Sequence, residues 1–66
     1  MYKFRVEFHI LHVDLFNSPV AFVLADTYQQ ALKMAYLLAE QRYWSNPDYT
    51  GDLFGISVSQ LPNDNS

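Results

Sequence analysis

The chain has no cysteine and only two glycines, Gly51 and Gly55. Without cysteine there is neither a disulfide framework nor a thiolate metal site. Two glycines leave no Gly-rich loop to cradle a phosphate, and neither G-x-x-x-x-G-K-[ST] nor G-x-G-x-x-G occurs. H-E-x-x-H and G-x-S-x-G are missing as well. Cations are scarce: four Lys and Arg stand against seven Asp and Glu, a formal net charge of −3. That opposes nonspecific nucleic-acid binding, which needs several Lys or Arg on phosphates. No apolar run approaches the ~20 residues of a membrane span. Arg5, Glu7 and His9 interrupt the unbroken apolar stretch that a signal peptide requires. The expectation is a cytoplasmic protein with no membrane partner.

Apolar residues are abundant instead. The composition is 50% hydrophobic and 17% aromatic over 66 residues, which marks a folded domain near the lower size limit for one without cross-links. Such a domain depends on its aromatics, each of which can bury a large area. The organising stretch is Tyr2 to Val13. Tyr2, Phe4, Val6, Phe8 and Ile10 are apolar, while Lys3, Arg5, Glu7 and His9 between them are polar. A period of two over nine residues predicts a half-buried strand. The phase changes at Ile10–Leu11, through a β-bulge or because the strand ends there. Asp14 to Pro19 holds the turn residues of a connection.

Val20–Ala25 predicts a second strand with a heavy row (Val20, Phe22, Leu24) and a light row (Ala21, Val23, Ala25). Thr27 with Gln30 matches a capping box, as does Asp26 with Gln29. The helix should run from Tyr28 to Tyr43 or Trp44. Its packing stripe is Tyr28, Ala31, Leu32, Ala35, Leu38 and Ala39, with Gln29, Lys33, Glu40, Leu37 and Trp44 on the outer side. Pro47 follows the helix. Leu53–Leu61 predicts a third strand with Phe54, Ile56 and Val58 buried and Gly55, Ser57 and Ser59 outward. The fold class is α+β: one ββαβ domain over residues 1–61, a three-stranded sheet in the order 2-1-3, and one helix packed on one face. A disordered polar tail is expected over 62–66. The order 2-1-3 keeps the most aromatic strand off an edge, where it would invite aggregation.

Four groups of residues are candidates for function. His9 and His12, beside Glu7 and Asp14, point to opposite faces of a strand and have no third ligand, so no catalytic, cofactor or metal site is expected. An open sheet face of Lys3, Arg5, Glu7, His9, Ala21, Val23, Ser57 and Ser59 invites comparison with RNA-binding sheets. Those sheets stack bases on exposed aromatics, and here the strand aromatics are expected on the other face. Five of the seven acids (Asp14, Asp26, Asp48, Asp52, Asp64) fall in turns, caps or the tail. The fourth group is an aromatic end, where Leu15 and Phe16 should meet Tyr43, Trp44 and Tyr49 within an acidic rim. It is either a mini-core or a binding surface of the kind where Trp and Tyr act as anchors. As a binding surface, its expected contacts are Phe16, Leu37, Trp44 and Tyr49, with Asp48 and Asp52 meeting Lys or Arg of the partner.

In outline, the strand YKFRVEFHI, the capped helix DTYQQALKMAYLLAEQ and the strand GISVSQ resemble the small inhibitor proteins of phages and mobile elements, of the anti-CRISPR type. The resemblance implies a small, acidic, non-enzymatic inhibitor or adaptor. It would act in the host cytoplasm by sterically blocking a host protein or complex, one with a basic groove that handles nucleic acid. Two other readings stand beside it: a nucleic-acid-binding module on the open sheet face, and a structural homodimer formed through that face or an exposed edge.

Overall fold

The computed structural model describes residues 1–49 and 52–62. Thr50 and Gly51, and the expected tail beyond Pro62 with Asp64, lie outside the described residues. The elements are β1 (Tyr2–Ile10), β2 (Val20–Ala25), α1 (Tyr28–Ala39) and β3 (Leu53–Gln60). A single 3-10 turn spans Leu15–Asn17, and a π turn spans Glu40–Trp44. The sheet has the order β2-β1-β3, with both neighbours antiparallel to β1. The expected α+β architecture is the observed one.

The alternation of β1 sets the two faces. Phe4, Val6 and Phe8 are essentially fully buried under α1. The helix presents Ala31, Ala35 and Ala39, all at 0% exposure. Alanine carries no side chain beyond Cβ, so α1 lies close on the sheet while the phenylalanines fill the space between. Thr27 starts the helix: its Oγ1 accepts from the Gln30 N–H at 3.1 Å, and the Gln30 Oε1 accepts from the Asp26 N–H at 3.0 Å. Two otherwise orphan backbone donors are thereby satisfied. The chain then widens rather than stopping. The Ser45 N–H reaches the Glu40 carbonyl at 2.7 Å, a spacing of five residues. This shift aims Tyr43 inward, onto Phe8 at 5.2 Å between ring centres.

Two expectations about the flanking strands are corrected. In β2 the light row faces the helix: Ala21, Val23 and Ala25 pair with Val6, Phe4 and Tyr2 and join the core. The heavy row of Val20, Phe22 and Leu24 is on the open face beside Glu7, Arg5 and Lys3. A closely seated alanine-lined helix leaves room for the small row and not for the large one. In β3 the register shifts between His9 and Ile10, so that His9 faces Gly55 and Ile10 faces Leu53. Phe54 is the unpaired residue of this bulge. Leu53 therefore enters the core at 7% exposure, and Phe54, expected inside, is 71% exposed. β1 itself ends at Ile10, and the turn after it places His12 in the left-handed region at φ 70°.

Candidate functional site

The end of β1, the π turn and the start of β3 share one pole. The Leu11 N–H donates to the Asp52 carbonyl at 2.8 Å, and the Trp44 Nε1–H donates to the Leu53 carbonyl at 3.2 Å. Trp44 also stacks on Tyr36, with ring centres 6.3 Å apart and planes 27° apart. Trp44 is thus held by a hydrogen bond and a stack, yet 51% of it is exposed. Its partner Tyr36 is 50% exposed. Together they form a fixed aromatic platform that the sequence reading did not include, because Tyr36 falls outside both the packing stripe and the expected contacts. Its spacing of eight residues from Trp44, about two helical turns, was the available signal.

The other expected contacts divide. Tyr49 is half-buried and packs edge-on against Tyr43 at 4.9 Å, behind the platform. Its hydroxyl is buried without a hydrogen-bond partner among the described residues. Burial, and then the neighbouring Tyr43 and Asp52, push its pKa above the ordinary tyrosine value. Phe16 is 99% exposed and rests on nothing in the fold. The turn carrying it is organised by Asp14, whose Oδ1 accepts from the Asn17 backbone and side-chain amides at 3.0 and 2.9 Å. Asp14 is thus a capping residue. Asp48 and Asp52 are both exposed. Leu37 is 57% exposed and lies between two hollows, the groove between α1 and β2 and a shallow one that it shares with Tyr36.

The open sheet face is more apolar than the sequence suggested. Phe22 and Phe54 flank the polar row of β1, with the Lys3 ammonium 5.0 Å from the Phe22 ring centre. Arg5 pairs with Glu7 at 2.9 Å. His9 Nε2 and Ser57 Oγ are 2.7 Å apart, the one contact here with the look of a nucleophile and its base. Such a pair needs a third group to orient the imidazole and donors to hold an oxyanion. This one stands on an open sheet face, and no group of three potential metal ligands occurs among the described residues. No helix of the described residues is long and apolar enough to cross a membrane. Compared with protein families, curated proteins and solved structures, the chain matches none of them.

Proposed function

We propose that this protein is a non-enzymatic protein-binding inhibitor or adaptor, with Trp44 as its central contact. The observation that carries this reading is the combination of restraint and exposure at Trp44. An exposed aromatic that is already fixed loses little conformational freedom on binding, which is how preorganised anchors gain affinity. Tyr36 widens the platform, Phe16 would add a second, fully exposed ring, and Asp48 and Asp52 offer carboxylates to a basic rim on the partner. The action is steric: a preformed surface occupies a groove that the partner needs open, such as one that receives nucleic acid. A partner captured from host lysate should bind the Trp44→Ala variant at least ~30-fold more weakly, the loss expected of a hot-spot anchor. The thermal midpoint should move little. Unchanged affinity with a large fall in the midpoint would return Trp44 to the core.

A second reading draws on Phe22 and Phe54, which place aromatics on the open face beside Lys3 and Arg5. Sheets that bind single strands combine stacking rings with cations in this way. Against it, the Arg5 charge is taken up by Glu7 and the net charge is −3. Titrating a labelled single-stranded oligonucleotide at rising salt separates the two readings. Phosphate contacts give a steep, linear loss of log affinity with log salt, and no binding at low salt removes this reading.

A further inference from the structure

The two outer edges of the sheet differ in how they are protected. β3 is interrupted by the Phe54 bulge and carries Ser57, Ser59 and Gln60. Bulges and polar side chains are the usual means of blunting an edge. β2 reads VAFVLA, with no charge, bulge or proline within it. Its ladder phase is fixed by the Phe8 N–H, which donates to the Pro19 carbonyl at 3.0 Å. In the register of β1 and β2, the residues bonded to β1 are then Ala21, Val23 and Ala25. The N–H and C=O groups of Val20, Phe22 and Leu24 point away from the sheet. Beside them runs an open groove of about 690 Å³ between β2 and the helical side, lined there by Met34, Leu37 and Leu38 and, at one end, by Gln41 and Arg42.

We propose that β2 pairs antiparallel with β2 of a second copy about a two-fold axis at Phe22, forming a six-stranded sheet. The outward set is centred on Phe22, so the edge is complementary to itself. Phe22 meets Phe22 of the second copy, and Val20 meets Leu24 on each side of the axis. Each of these three positions exchanges two backbone hydrogen bonds. A shift of two residues either way pairs fewer of the outward groups and sets one end of the strand against a turn. In the centred register Asp26 comes opposite Ser18 of the second copy, so no like charges meet. Pro19 lies opposite Ala25, where an outward N–H is not used. On the open face Val20, Phe22 and Leu24 of both copies form one apolar band. A stable dimer covers about 800 Å² per partner, more than a six-residue strand edge supplies. Met34, Leu37 and Leu38 of each copy extend the contact across the groove. A foreign strand would find the same donors and acceptors, but no charge on β2 selects its direction or register, whereas the symmetry of the edge selects a second copy. Trp44 lies neither on β2 nor in the groove beside it, so the dimer does not depend on the contact proposed for it.

Analytical ultracentrifugation of the full chain over micromolar to millimolar concentration should give twice the 7.7 kDa chain mass. Phe22→Pro removes an outward donor and none of the bonds to β1, and Leu24→Lys places a charge in the apolar band. Both should be monomers with an unchanged far-ultraviolet circular dichroism spectrum. The register is read separately by cross-linking, since the chain has no cysteine of its own. Phe22→Cys brings two Cα atoms to about 5.5 Å and should oxidise to a covalent dimer. Leu24→Cys holds them about 14 Å apart and should not. A monomeric wild type at millimolar concentration overturns the proposal. So does a dimer that both Phe22→Pro and Leu24→Lys leave intact, an open-ended polymer, or cross-linking through position 24 and not 22.

Discussion

Both faces of the sheet carry large apolar side chains, and these have opposite fates. Beneath α1 lie Phe4, Val6, Phe8, Val23 and Leu53, all buried. On the other face Val20, Phe22, Leu24 and Phe54 are between 36% and 71% exposed. The difference comes from what covers each face. One helix with a stripe of alanines can approach a sheet closely, and it shields only the rows beneath it. The chain carries more large apolar surface than this one layer can hide. Among the described residues, fifteen large hydrophobic side chains are exposed, against nine residues in the core, three of them helix alanines. Exposed apolar residues scattered singly are ordinary. Contiguous ones mark interaction surfaces, and here they gather at the Trp44 pole and along β2.

The covered face should be the sensitive one. Phe8→Ala empties the centre of the core, where Phe8 has 0% exposure and contacts Tyr43. A cost of about 3–5 kcal/mol is expected from buried Phe truncations, enough to unfold much of a domain this small. Chemical denaturation of the variant checks it; a loss below about 1 kcal/mol would mean that the two faces are not energetically distinct. Ala35→Leu probes the same face from above. Ala35 has no exposed area against the sheet, so the added carbons must push the helix outward at about 1–3 kcal/mol. The same substitution at Lys33, which is exposed on α1, should fall within about 0.5 kcal/mol.

Tyr49 tests how far the covered region extends. Its hydroxyl is shielded and its pKa is raised, first by burial and then by Tyr43 and Asp52. The neutral phenol is thus favoured in the folded protein. At neutral pH neither the folded nor the unfolded form is ionised there. As pH rises past the ordinary value near 10, the unfolded chain loses the proton first, so stability falls. Thermal midpoints measured from pH 8 to 11 should drop at the alkaline end, and Tyr49→Phe should reduce that drop. Because the hydroxyl has no partner among the described residues, Tyr49→Phe at pH 7 should be neutral or stabilising by about 1 kcal/mol. Destabilisation beyond that would show that the hydroxyl makes a bond.

Much of this architecture is legible in the sequence because some rows differ in polarity. In β1 every second residue is charged or histidine from Lys3 to His9, so the buried row is unambiguous. The alanine spacing of α1 likewise names its packing stripe, and Thr27 marks its start. In β2 both rows are apolar, and alternation then carries no information about which faces inward. Side-chain size decides instead, through the close approach of Ala31, Ala35 and Ala39 from a distant part of the chain. The bulge in β3 is hidden for a related reason: Leu53 and Phe54 are both apolar, and either could occupy the core. The exposure of Trp44 and Leu37 follows from helical periodicity. The inward turn of Tyr43 depends on the π turn, which no local residue announces.

The bulge supplies the finest test of the comparison. Phe54 is β3's largest side chain, and a regular ladder would place it in the core beside Ile56 and Val58. Phe54→Thr puts a β-branched, strand-favouring residue in the strand and removes the ring from a position that is 71% exposed. Among the described residues its ring neighbour is His9, at 6.1 Å between centres. Stability should change by no more than about 0.5 kcal/mol, against the several kcal/mol expected at Phe8. Leu53→Thr, one residue earlier, should lose about 2–5 kcal/mol, as for a buried leucine cut short. If the two effects were reversed, the strand would be running in the unshifted register, with Phe54 inside and Leu53 out.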